Sequence, residues 1–284
     1  MNDTAAALPK LRILSLGAGV QSTTMALMAA HGELTPMPDC AIFADTQNEP
    51  AAVYEHLRWL MSPNVLPFPV HIVTAGDLWK SASTIRTTRD GKRTYISTGI
   101  PVYTAEGLRK GIGKRQCTRD FKIVPINRKA RELLGLKRIP ARSQPLVEMW
   151  VGISEDEASR MKPNEKSWIK TRWPLIEKGM DREDCFEWMR ARDFPTPPRS
   201  ACTFCPFRDD DSWLALSASE MTDAIKKEKA LQEAYARSSE MRGMPFLHDS
   251  RRPLGTVKFV PSPPGRKARQ LRLFTNECAG MCGT

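Results

Sequence analysis

Leu11-Arg-Ile-Leu-Ser-Leu-Gly-Ala-Gly-Val-Gln-Ser-Thr-Thr24 carries an apolar run (Ile13, Leu14, Leu16) that breaks into Gly17-Ala18-Gly19 and then opens a helix at Ser22, Thr23 and Thr24. That order reads as strand, glycine turn, helix N-terminus. Backbone N–H groups and the helix dipole at such a junction attract an anion, and small residues let the chain close on it. A Gly-x-Gly alone also occurs in any tight βα turn. The second apolar run, Ala41-Ile-Phe-Ala-Asp-Thr-Gln-Asn-Glu49, ends in a polar tip. In a doubly wound sheet both tips fall on the carboxyl edge, where ligands bind.

Working outward, strand-like runs at 12–16, 40–44, 70–74 and 148–153 alternate with helix-like runs at 23–30, 51–61 and 126–134. The alternation predicts an α/β fold with a doubly wound parallel sheet covered on both faces. We place that domain at residues 8–155, followed by a smaller helical, cysteine-bearing part at 156–284. The stretch 86–113 is cationic, rich in glycine and weakly periodic, which reads as a long functional loop. Residues 181–192 read as an amphipathic helix with Cys185, Trp188 and Met189 on one stripe. Ser217-Ala-Ser-Glu220 is a capping box that opens a helix to about Arg242. The proline-rich, basic run 261–269 reads as extended.

The chain has 284 residues, 41% hydrophobic and 26% charged, a composition that suits a globular protein. No apolar run approaches the roughly 20 residues of a membrane span. Met1-Asn-Asp-Thr-Ala-Ala-Ala-Leu-Pro-Lys10 lacks the basic start and apolar centre of a signal peptide, so a cytoplasmic location and no membrane partner are expected. Net charge is +11. Residues 86–142 hold 16 Lys and Arg against four acids (Asp90, Glu106, Asp120, Glu132), a surplus of twelve, so the remainder is near neutral. Such a block suits a polyanion, nucleic acid first, beside a solvated basic surface or a phosphorylated small substrate.

Seven cysteines in a cytoplasmic chain point to metal or catalysis rather than disulfides. Ala201-Cys-Thr-Phe-Cys-Pro-Phe207 sets two thiols on one turn, within reach of one metal or cluster. The spacing does not choose among zinc, iron–sulfur and a redox dithiol. Cys117 lies in Lys114-Arg-Gln-Cys-Thr-Arg-Asp-Phe-Lys122, a cationic setting that favours thiolate. Cys278 and Cys282 share Asn276-Glu-Cys-Ala-Gly-Met-Cys-Gly283. Cys40, in a strand, and Cys185, on a helix stripe, read as core residues. His31, His56 and His71 read as structural. His248, close to Arg251 and Arg252, is placed to contact an anion.

Gly17-Ala-Gly-Val-Gln-Ser22 resembles the Ser-Gly-Gly-x-Asp-Ser loop of PP-loop ATP pyrophosphatases. Phe43-Ala-Asp-Thr-Gln-Asn-Glu49 is similar to the strand-end motif of their phosphoadenosine phosphosulfate (PAPS) reductase branch. Gly17 stands where that loop has its first serine, and Gln21 where it has aspartate. The resemblance implies an adenine nucleotide, ATP with Mg2+, held by Ser15, Gly17, Ala18, Gly19, Gln21, Ser22 and Thr23, with Asp45 and Thr46 at the neighbouring strand tip. The segment around Cys117 looks like the Cys-x-Arg-x-x-Lys of iron–sulfur members, and Cys202 and Cys205 look like their downstream pair. The resemblance implies a 4Fe–4S cluster on Cys117, Cys202 and Cys205. Its remaining iron is either open, as in PP-loop tRNA thiolation enzymes, or closed by Cys278 or Cys282. A structural Zn2+ on four cysteines is the alternative.

The activity so implied is adenylation of a substrate followed by sulfur transfer to a nucleic acid, tRNA or DNA, docked on the basic 86–142 segment. No motif specifies the sulfur donor, and a homodimer is compatible with the pattern. Glu277-Cys278 is also similar to part of the C-terminal Glu-Cys-Gly-x-His element of sulfonucleotide reductases, although alanine follows here and no histidine does. This gives a first alternative, reduction of adenylyl sulfate or phosphoadenylyl sulfate with Cys278 or Cys282 as nucleophile. A second is a zinc-stabilised nucleic-acid-binding module with a degenerate nucleotide pocket.

Overall fold

The computed structural model describes residues 9–96, 99–139, 144–238 and 243–261. Strand and helix alternate through its first part. β1 (Leu11–Leu16) turns into α1 (Val20–Ala30), β2 (Cys40–Asp45) into α2 (Ala51–Leu60), and β3 (Val70–Thr74) is followed by α3 (Leu78–Ser83). Two hairpins come next, β4 (Ile85–Thr87) with β5 (Thr94–Ile96) and β6 (Tyr103–Glu106) with β7 (Arg109–Ile112). A helical run then passes from α4 (Gln116–Thr118) through a π-helical turn at Arg119–Ile123 into α5 (Val124–Leu133). β8 (Val147–Val151) and β9 (Ile169–Arg172) complete the main sheet. α6 (Pro174–Glu177), α7 (Arg182–Arg190), α8 (Asp210–Leu214), α9 (Ala218–Ala236) and β10 (Met244–Phe246) follow.

The five-stranded sheet has the order β3-β2-β1-β8-β9, with every pair parallel. Successive side chains of a strand point to opposite faces, so a sheet covered on both sides needs apolar residues at consecutive positions. β1 meets that demand: Ile13 and Leu14 are both fully buried. Leu14, Phe43 and Trp150 join the core with Met25 of α1, Leu57 of α2 and Cys185 of α7. Ile13, Ile42 and Met149 face the other way, onto Ile126 and Ala130 of α5. Cys40 and Cys185 are core residues, and burial pushes their thiols up to about 11 and about 12. The expected α/β fold with its doubly wound parallel sheet is therefore present.

A third core brings the rest of the chain together. Ile100 and Val102, leading into β6, pack with Phe121, Cys202, Phe204, Trp213 and α9 residues Ala224 and Leu231. β10 pairs with β6, giving an antiparallel β10-β6-β7 sheet that joins residues far apart in sequence. The stretch 86–113 is thus not the long loop that its composition suggested. Gly91 (φ 70°) and Gly107 (φ 56°) take left-handed turns between short Thr-, Tyr- and Ile-bearing strands, which is hairpin chemistry. α9 opens on the expected capping box, Ser217 with Glu220, and closes at Ala236. α7 opens on a second box, Asp181 with Asp184.

Candidate active site

Strand order reverses beside β1: β2 lies on one side and β8 on the other, so the switch point of the sheet falls between the carboxyl ends of β1 and β8. The glycine turn sits there. Gly17 N donates to Ser22 Oγ (3.1 Å), and the Ser22 hydroxyl donates to Gly19 O (3.3 Å), so Ser22 braces the turn from within. Ala18 is held at φ 57°, a left-handed conformation that costs a residue with a Cβ. Gly19 is the N-cap of α1, with no side-chain cap and no acid in the first turn. The positive end of α1 is therefore not neutralised by its own sequence.

The turn is buried as a whole, and Ser15 Oγ, near the end of β1, is buried with no hydrogen-bond partner among the described residues. Across the switch point, Gln21 Nε2 donates to Ser154 Oγ and Glu157 Oε2, both at 3.3 Å, and Arg160 pairs with Glu157. Gly152 lets the two sides meet, because a Cβ there would lie 3.1 Å from Ser22 N. Thr23 Oγ1 shares a hydrogen bond with His56 Nε2 (3.0 Å), and burial pulls that imidazole down to about 4.

The tip of β2 is organised residue by residue. Asp45 accepts from Gln47 N (2.7 Å) and from the Tyr54 hydroxyl (2.8 Å). Burial first, then the bond to Asp45 and its charge, push the Tyr54 phenol above its usual range. Gln47 takes a left-handed turn (φ 61°). Asn48 Nδ2 donates to Thr46 O and Asp77 Oδ1, both at 2.9 Å, while its Oδ1 accepts from Lys227 Nζ (3.0 Å). Asn48 O accepts from Thr203 N (2.8 Å), so one buried amide residue ties β2, α3, α9 and the Cys-x-x-Cys loop together. Glu49 Oε1 meets Lys122 Nζ at 3.3 Å with both side chains buried, and Glu49 Oε2 has no partner among the described residues.

The cysteine turn rests on this tip. Cys202 Sγ lies 3.3 Å from Thr46 Oγ1, and Cys205 N closes the turn on Cys202 O (2.9 Å). Burial, then the Glu49 charge, push the Cys202 thiol well above its ordinary value, with Lys122 pulling the other way. Cys205 is half-buried. Arg208, itself buried, clamps the loop by donating to the carbonyls of Cys202 (3.1 Å), Ala201 (2.6 Å) and Ser212 (3.0 Å).

Sequence-derived candidates thus meet on one edge: Asp45, Thr46, Cys202 and Cys205 at β2, with Gly17, Ala18, Gly19, Gln21 and Ser22 one strand over. Cys117 packs against the same core as Cys202, and its N–H donates to Gly99 O (3.2 Å). Among the described residues no group of three His, Cys, Asp or Glu side chains is placed to hold a metal ion. Cys202 and Cys205 are a neighbouring pair that no third described ligand completes. Cys278, Cys282 and residues 262–269 of the proline-rich run lie outside the described residues. His248 is engaged with Asp210 (3.0 Å) and Ser250 (2.8 Å). Lys122, Asn48, Arg208 and Gly152 were not singled out from sequence. The two that left a trace are Asn48 and Lys122, each inside a quoted motif.

The cations of the 86–142 block are spread over the hairpins and the helical run after them, with Arg86, Arg89, Lys92, Arg109, Lys110 and Lys114 exposed. No helix among the described residues is long and apolar enough to cross a membrane. In comparisons with known proteins, the chain is similar to a crystal structure of phosphoadenylyl-sulfate (PAPS) reductase from Candida auris in its phosphate complex. The identity is 13%, the match covers 70% of this chain and 83% of that one, and the TM-score is 0.40. No protein-family model matches the chain, and no curated protein matches it.

Proposed function

We propose that the chain is a PP-loop-type enzyme that binds an adenine nucleotide, adenylates an acceptor and delivers sulfur to it, the acceptor being a nucleic acid. One observation carries this reading. An uncapped helix N-terminus at the switch point and a Cys-x-x-Cys turn stand on the same carboxyl edge, the turn held there by Thr46 and Asn48. The amides of the 17–22 turn and the α1 dipole would take the phosphate charge, and Ser15 Oγ is a buried hydroxyl still lacking a partner.

An acceptor oxygen attacks the α-phosphorus of ATP, the bond to the bridging oxygen breaks, and pyrophosphate leaves. A hydrosulfide-class nucleophile then attacks the activated carbon, the new C–S bond forms, and AMP departs with the acceptor's oxygen. Mg2+ bound with the nucleotide would offset the phosphate charge, and Asp45 is one carboxylate on this edge that could meet it. A 4Fe–4S cluster or Zn2+ would take Cys202 and Cys205 as two of its ligands.

The test is an ATP titration of the full chain, followed by assay of AMP and pyrophosphate release with tRNA or DNA present. Both products are expected to form, and Ser22→Ala, which unbraces the turn, is expected to weaken ATP binding. Absence of ATP binding at millimolar concentration overturns the reading. So does reduction of adenylyl sulfate to sulfite without ATP turnover, which would favour the reductase.

A further inference from the structure

Among the described residues the β10-β6-β7 sheet has one covered face and one more open face, on which Tyr103 and Phe246 are half-buried. On the covered face Pro245 is buried, and its carbonyl accepts from Gln232 Nε2 of α9 (3.0 Å). The opposite face sets Phe246, Tyr103 and Ile112 side by side in register, with Met244 and Lys110 one row further along. Residues two apart on a strand share a face, so these five form one surface. Ile112 is 50% exposed and Met244 46%. Arg251 holds its guanidinium 5.4 Å from the Tyr103 ring centroid, fixed there by a bond from Nε to Thr104 O (3.2 Å).

Open apolar surface flanked by cations marks a partner, and the charge says which kind. β6 and β7 lie within the stretch whose 16 cations face four acids. Aromatic rings beside Lys and Arg on a sheet face are what single-strand binding surfaces present, the rings stacking on bases and the cations meeting phosphates. A duplex keeps its bases stacked inside and offers such rings nothing. Ile100 and Val102, at the root of β6, share the side of Thr104 and Pro245 and pack in the same core as Cys202, so the covered face of this sheet adjoins the thiol-bearing turn.

We propose that the open face of the β10-β6-β7 sheet binds a single-stranded segment of nucleic acid, with bases stacked on Tyr103 and Phe246 and phosphates met by Lys110 and Arg251. This deepens the nucleic-acid part of the proposed function and rests on it. The experiment is fluorescence anisotropy of the full chain with a labelled 12-nucleotide strand, as DNA and as RNA, and with the matching duplex at the same salt. The single strand is expected to bind tighter than the duplex. Tyr103→Leu and Phe246→Leu, which keep apolar bulk, are each expected to weaken it about tenfold. Lys110→Glu should flatten the plot of log affinity against log salt by about 0.7. Lys178→Glu, far along the chain after α6, should change neither affinity nor slope.

Melting temperatures of the variants separate misfolding from lost contacts. Equal or tighter duplex binding overturns the proposal, as does an affinity that both leucine variants leave within twofold of the parent. An ATP titration alongside distinguishes the two levels: a chain that binds ATP but no strand loses this inference alone. A chain that binds the strand but not ATP keeps the platform and loses the nucleotide reading.

Discussion

Lys122→Met strands a carboxylate in the interior. Lys122 and Glu49 meet at 3.3 Å with side chains 6% and 0% exposed, and Glu49 Oε2 has no other partner among the described residues to cushion the loss. Removing one member of a buried pair costs about 3–5 kcal/mol, much of it the desolvation of the ion left behind. At about 2 °C per kcal/mol for a chain of this size, the melting temperature should fall by roughly 6–10 °C. The companion variant Lys122→Met with Glu49→Leu replaces both charges by apolar groups and should recover all but about 1–2 kcal/mol. Urea denaturation of both variants, with thermal melts as a second probe, measures the difference. A single variant costing under about 1 kcal/mol with an unchanged urea slope would refute the argument, because the pair would then have to be hydrated.

Gly152→Ala should push the first turn of α1 away from β8, since the new Cβ falls 3.1 Å from Ser22 N and 3.3 Å from Gln21 Cβ. Overpacking of that kind costs about 1–3 kcal/mol, and calorimetric titration should find ATP affinity reduced at least about tenfold. His56 is held neutral by burial, with its folded value lowered to about 4 from 6.5. The unfolded chain therefore binds the proton first, and stability should fall as pH drops through the window from about 6.5 to 4, by up to roughly 3 kcal/mol. Urea midpoints across that range should show the slope, and His56→Gln should flatten it. Asp193, in the turn three residues past the end of α7, sits at φ 56°, with Phe194 N bonded back to Met189 O (3.1 Å). Asp193→Gly suits that left-handed position and should raise stability by about 0.5–1 kcal/mol in the same assay.

Local signals carried far in this chain. The apolar run, glycine turn and uncapped helix start at 11–30 were legible because strand period, turn chemistry and capping act within a few residues. The capping box at Ser217 and Glu220 was legible for the same reason. The hairpins at 85–112 were obscured by charge: Gly91 and Gly107 mark turns, but the strands beside them are three or four residues long, too short for a clear period of two. Lys122 could be quoted from its motif, yet nothing near it names Glu49, 73 residues earlier, as its partner. Arg208 reads as one more surface cation until its guanidinium is seen to close on three backbone carbonyls.

From sequence alone came the fold class, the glycine turn ahead of α1 and the polar tip of β2, since each depends on interactions between near neighbours. Only the tertiary structure decided that the turn faces Gly152, Ser154 and Glu157 across the switch point, that Cys202 rests on Thr46, and that Phe246 stands beside Tyr103. Those pairings follow from the strand order β3-β2-β1-β8-β9 and from the need of each buried charge and amide for a partner. Periodicity reports which face of an element is buried. It does not report what the face is buried against.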